Sequence, residues 1–164
     1  LRTPMGLWTN TMSNNENNET SARRLFKEVW QDHNYQATDE LVAKDYVLHD
    51  RSMPQGTEWA SGPDGYRLMA EMWHGFFDGP VELDQLIPAG EFVVLRWSQT
   101  GKLVGEMGSI EPTDEEVTIT GIEINRFEDG KIAETWQETG MIPMLTQIGV
   151  ISEDLFAPKM PAEN

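Results

Sequence analysis

The chain has 164 residues, 38% hydrophobic and 24% charged, enough apolar material for one core and too little length for a second. Its 28 Asp and Glu against 12 Lys and Arg leave a formal net charge of −16, which argues against nucleic acid and anionic lipid as partners. There is no cysteine, so disulfides, thiolate metal sites and cysteine nucleophiles are excluded together.

A cysteine-free chain fits a reducing interior, and the expected location is cytoplasmic. No apolar run is long enough to cross a bilayer, and the first residues lack the basic-then-apolar order of a secretory signal. The acidic residues are scattered, from Asp39 and Glu40 through Asp84 to Glu134. That distribution reads as solubility, including tolerance of high salt, more than as a patch for a basic partner.

In chain order, residues 1–20 read as a tail, disordered or artefactual, with Met12 as an alternative start. Ser13-Asn14-Asn15-Glu16-Asn17-Asn18 has no apolar spacing to bury. Ser21 is the expected cap of a first helix with Leu25, Val29 and Trp30 on one stripe. A short helix over 38–43 follows, with Leu41 and Val42 turned inward, then a strand over 44–50. On that strand Tyr46 and Leu48 face one side, Val47 and His49 the other. After a polar loop over 51–60, Ser61-Gly62-Pro63 opens a helix bearing Tyr66, Met69, Met72, Trp73, Phe76 and Phe77, closed by Gly79-Pro80. Strands are predicted over 81–87, 91–104 and 117–127. The turn Glu128-Asp129-Gly130-Lys131 leads to a fourth over 132–139, then to a helix over 142–148 and a tail over 151–164. Helices, a strand, a helix and an antiparallel meander make an α+β domain over 21–150.

Several chemistries find no support. No Gly-x-Gly-x-x-Gly or phosphate loop follows a strand, and no Gly-x-Ser-x-Gly elbow occurs. His33, His49 and His74 lack the spacing of metal ligands. No cofactor and no metal are therefore expected.

The motifs Asp45-Tyr46-Val47-Leu48-His49-Asp50 and Gly62-Pro63-Asp64-Gly65-Tyr66-Arg67 resemble the opening half of SnoaL-like polyketide cyclases and the related ester cyclases. Val94 through Gly101, Gly121-Ile122-Glu123-Ile124, Phe127 through Ile132, Glu134-Thr135-Trp136 and Met144 through Gly149 follow the same family's order and spacing. The resemblance implies a cone-shaped, nuclear-transport-factor-two-like (cystatin-like) domain: a curved mixed or antiparallel sheet packed against N-terminal helices around an apolar pocket, commonly in a homodimer. It also implies cofactor-free aldol ring closure, which needs a base and a donor that steadies an enolate. The family's catalytic aspartate, four residues beyond the last strand's tryptophan, falls at Gly140, and a frequent histidine falls at Leu103.

Alternation along the last strand puts Trp136, Glu138 and Gly140 on one face, so Glu138 is the expected base. Arg96 and His49 are the expected donors; a structural ion pair and a satisfied core histidine are the competing readings. Asp50, Tyr66, Met69, Met72, Trp73, Phe76 and Trp136 are the expected ligand-binding set, although core packing demands the same helical spacing and Asp50 also suits a loop cap. Trp97 is expected to point to the outer sheet face, towards a dimer interface. The function expected is a lyase or isomerase acting on a small apolar carbonyl compound. The alternatives are a non-catalytic binding protein and an epoxide-hydrolase-like enzyme with an altered site, in which Arg96-Trp97-Ser98 replaces an Arg-x-Asp.

Overall fold

The computed structural model describes residues 6–52 and 60–156. Helix α1 runs Gly6–Leu25 and passes into a π-helix, Phe26–Gln31; a 3-10 turn and the four-residue α2 (Thr38–Leu41) lead to strand β1, Val42–Asp50. Helix α3 spans Gly62–Phe76, and the meander follows as β2 (Val81–Ala89), β3 (Phe92–Lys102), β4 (Glu116–Glu128) and β5 (Lys131–Thr139). Helix α4, Met141–Gln147, comes next, and the described chain ends in a 3-10 turn at Glu153–Phe156.

The strands form one mixed sheet in the order β1-β5-β4-β3-β2, with β1 parallel to β5 and every other pair antiparallel. One face supplies Val93, Leu95, Trp97, Val117, Ile119 and Phe127 to a core shared with Leu25, Phe26, Val29, Tyr66, Met69 and Ala70 of the helices. Apolar side chains at every second strand position and on one helix stripe can be desolvated only against each other, and that fixes the two layers. The described residues contain no helix long and apolar enough to span a membrane.

The first helix begins at Gly6, well ahead of the Ser21 cap expected from the sequence. Residues 6–20 are thus helical and not a tail. Asn18 is buried and donates from Nδ2 to the Gly90 carbonyl at 3.1 Å, and Arg23 pairs with Glu19 one turn back. A tertiary hydrogen bond and an i,i+4 pair, neither visible in apolar spacing, hold this stretch. β1 also starts earlier than expected, at Val42, where pairing with Ile132 draws the chain out of α2. Most of the loop expected over 51–60 lies outside the described residues, as does the end of the C-terminal tail.

Candidate functional site

Between the sheet's inner face and the helices lies a cavity of about 30 Å³, room for a water or two. Phe26 and Trp30 of the π-helix, Met69, Met72 and Trp73 of α3, Val81, Trp97 and Met141 form its apolar wall. Its polar wall is Asp50, Ser52, Glu123, Gln137 and Thr139, and among the described residues no Lys, Arg or His lines it. Three of the wall residues are methionines, whose unbranched side chains rearrange at low cost, so the cavity can widen around a ligand.

Glu123 sits in the middle of the central strand, on the inner face, and is 7% exposed. Burial pushes its carboxyl up to about 7; Asn125 and Trp97 pull in the opposite direction, and the nearby Asp50 adds to the rise. Asn125 Nδ2 donates to Glu123 Oε2 at 3.4 Å, the carboxylate's one side-chain hydrogen bond among the described residues. The group therefore changes charge near neutral pH inside an apolar chamber, as a general base requires.

The three tryptophans at the cavity differ in their N–H groups. Trp30 Nε1 donates to Tyr66 OH at 2.9 Å, and Trp73 Nε1 to Gln99 Oε1 at 2.8 Å. Among the described residues Trp97 Nε1 has no hydrogen-bond partner, although it comes close enough to Glu123 to favour the carboxylate. Among the described residues one other buried side-chain polar atom is unpartnered, Tyr46 OH, which also lies within electrostatic reach of Glu123. Burial raises the Tyr46 and Tyr66 hydroxyls well above their ordinary range, so both stay neutral beneath the site. Asp50 at the end of β1 accepts from Ser52 N at 2.9 Å and from Ser52 Oγ, an Asx turn facing the cavity.

The residues expected to be catalytic lie elsewhere. Glu138, Arg96 and His49 all project from the outer face of the sheet and are exposed. Arg96 approaches Asp84 at 3.9 Å, and His49 Nε2 meets Glu134 Oε1 at 2.8 Å while stacking on Trp136. The reason on β5 is a register shift between Arg126 and Phe127: Ile132 and Ala133 are both buried, so the inward phase passes to Thr135 and Gln137. On β3 Trp97 faces the core and Arg96 solvent, the reverse of the expectation, because Val93, Leu95, Trp97 and Gln99 make the better buried set.

Of the expected ligand set, Asp50, Met69, Met72 and Trp73 line the cavity. Tyr66 is core, one layer behind Trp30; Phe76 packs against the core edge outside the cavity lining; Trp136 lies on the outer face. Sequence reasoning missed Glu123 as a site residue. The signal was alternation from Val117 and Ile119, which carries unbroken through Gly121 to Glu123. Among the described residues no group of three His, Asp or Glu could hold a metal ion.

The sequence profile of the SnoaL-like polyketide cyclases matches residues 20–148. The chain belongs to that family. Its fold is shared with TsrD from Streptomyces laurentii (23% identity, 80% of this chain and 97% of that one, TM-score 0.69). It is also shared with a candidate SnoaL-like polyketide cyclase from Jannaschia sp. CCS1 (18% identity, 92% and 98%, TM-score 0.73). A third such structure is IdmH, a candidate polyketide cyclase from Streptomyces antibioticus (23% identity, 80% and 98%, TM-score 0.66). No curated protein sequence matches the chain.

Proposed function

We propose that this SnoaL-like protein is a cofactor-independent lyase or isomerase that acts by general acid–base chemistry on a small apolar carbonyl compound, with Glu123 as the base. The observation that carries the reading is a nine-tenths-buried carboxyl, titrating near 7, on the wall of an apolar cavity beside an unpaired indole N–H. Glu123 takes a proton from a carbon between carbonyls; the C–H electron pair becomes the enolate, whose oxygen accepts from Trp97 Nε1. The enolate carbon attacks a second carbonyl of the same molecule, a C–C bond forms, and the new alkoxide recovers the proton from Glu123. Atoms balance, and the base returns to its starting state.

The test is exchange of the acidic C–H of a cyclic 1,3-diketone in D₂O, followed by NMR. Glu123→Gln should slow exchange by about 10²-fold or more, within the usual range for a positioned base, while Glu138→Gln leaves it unchanged. Loss of activity in Glu138→Gln alone would return the base to the outer face. In the native protein kcat/KM should rise with pH through about 7 as Glu123 ionises. A non-catalytic binding protein is the second reading, favoured by the small cavity; ligand binding with no exchange above the buffer rate would establish it. The epoxide-hydrolase-like arrangement loses its basis, because Arg96 points away from the cavity.

The outer face of the sheet, exposed among the described residues, supports a second copy of this chain as partner. Ile87, Val94, Ile124, Trp136 and His49 are in register across all five strands, and the row beside it sets Arg96 and Glu138 symmetrically about Ile122.

A further inference from the structure

Gly121 occupies the middle of the central strand, directly across from Trp97 on β3. Its φ is not among the positive values that favour glycine, so the backbone gives no reason for the residue, and a glycine in a strand interior weakens the strand. A Cβ built there would lie 2.3 Å from Trp97 Cζ2, 2.4 Å from Cε2 and 2.8 Å from Nε1. Gly62, Gly65, Gly79 and Gly105 make such close approaches to backbone, and Gly101 to the backbone and carboxylate of Asp78; the nearest atoms to Gly121 are all of the indole. The ring is held from a second direction by Trp73, edge to face at 6.0 Å.

We infer that Gly121 is a positioning residue of the site: its missing side chain is the slot in which the Trp97 indole lies, and that slot holds Nε1 on the cavity wall it shares with Glu123, two residues along β4 on the same inner face. Any side chain at 121 pushes the far edge of the indole, and Nε1 with it, off the strand. Glu123 then keeps Asn125 and loses Trp97, while Asp50 and Tyr46 on β1, Tyr66 on α3 and Gln137 on β5 stay as they are. A glycine opposite an aromatic residue can also be purely a matter of packing; that role would cost stability when the glycine is replaced without moving the titration of Glu123.

The inference rests on Glu123 being the working carboxyl, but its test needs no substrate. The Glu123 side-chain carboxyl is followed by ¹³C NMR from pH 4 to 9 in the native protein, Gly121→Ala, Trp97→Phe and the double variant. Losing the indole removes a nearby N–H whose dipole favours the charged form, so Gly121→Ala and Trp97→Phe should each raise the midpoint by roughly one unit. Gly121→Ala should add nothing in the Trp97→Phe background, the signature of one interaction removed twice. An unmoved midpoint in Gly121→Ala, or an equal shift with and without the indole, overturns the inference. If Gly121→Ala alone fails to fold, Gly121→Ala/Trp97→Phe is compared with Trp97→Phe: equal midpoints support the inference, and a further shift in the double variant overturns it. Exchange activity is measured separately, so failure of Glu123 as a base and failure of Gly121 as its positioner give different results.

Discussion

Glu123 keeps its proton in the folded chain up to a pH of about 7, against an ordinary value of 4.5, and the difference is a statement about stability as well as chemistry. Between those two values the unfolded chain releases the proton and the folded chain does not. Stability therefore falls as pH rises through the window, is fully present below it, and levels off above it. A gap of this size corresponds to about 3 kcal/mol. Glu123→Gln removes the ionisation while keeping the shape, so it should be more stable than the native protein at pH 8 and level with it near pH 4. Urea unfolding at both ends of the range checks this; a difference that does not change with pH would mean that Glu123 is solvated and its carboxyl ordinary. Rising stability and failing activity in one variant would identify a residue kept for function at a cost to the fold.

The elements show the same division between what spacing reveals and what it hides. Strand existence and the antiparallel meander were readable from β-branched runs and the Asp129-Gly130 turn, and α3 from its Pro63 start and apolar face; the place of β1, parallel beside β5, was not. Which face of β5 turns inward was not, because the shift near Ala133 arises from the ladder with β4 and leaves no trace in one strand's alternation. On β4 both faces carry isoleucines, Ile119 inside and Ile122 and Ile124 outside, so apolar content alone could not choose between them. The π-helix was equally hidden. Its Trp30 carbonyl accepts from His74 Nε2 at 3.2 Å, and His74 Nδ1 accepts from Tyr35 OH at 2.8 Å, with the His33 ring stacked at 3.9 Å. Burial, with His33 adding to it, lowers the His74 pKa from 6.5 to about 4. His74→Phe preserves the stack but orphans both partners, and should cost about 1–3 kcal/mol at pH 7. The native contribution is present above 6.5 and lost as pH falls through 4, so the gap between native and variant should narrow on acidification. A gap that widens in acid would show that His74 is not the clamp on this turn.

At the scale of the whole molecule, the outer sheet face sets self-attraction against net charge. Val47, Ile87, Ile122, Ile124 and Trp136 are exposed there on neighbouring strands, an apolar patch roughly 20 Å on a side from strand and residue spacings. β4 is the central strand, and Arg96 on β3 and Glu138 on β5 both pair with Ile122. A two-fold axis parallel to β4 therefore lays Arg96 of one copy over Glu138 of the other, twice, with the sheets aligned. Against this stands a charge of −16 on each copy, whose mutual repulsion is long-ranged and screened by salt. Two exposed ion pairs contribute about 0–1 kcal/mol each and are weakened by the same salt, so the apolar face must supply the affinity and the pairs the register. Three outcomes follow for sedimentation velocity. Association should tighten from 0.05 to 0.5 M NaCl, because relief of the global repulsion outweighs loss of the two pairs. Arg96→Glu should weaken the dimer, and Arg96→Glu/Glu138→Arg should restore it, since the swap rebuilds both pairs across the axis. A native protein that stays monomeric at 0.5 M NaCl, or a double variant no better than the single, would leave this face without a second copy and the register argument without support.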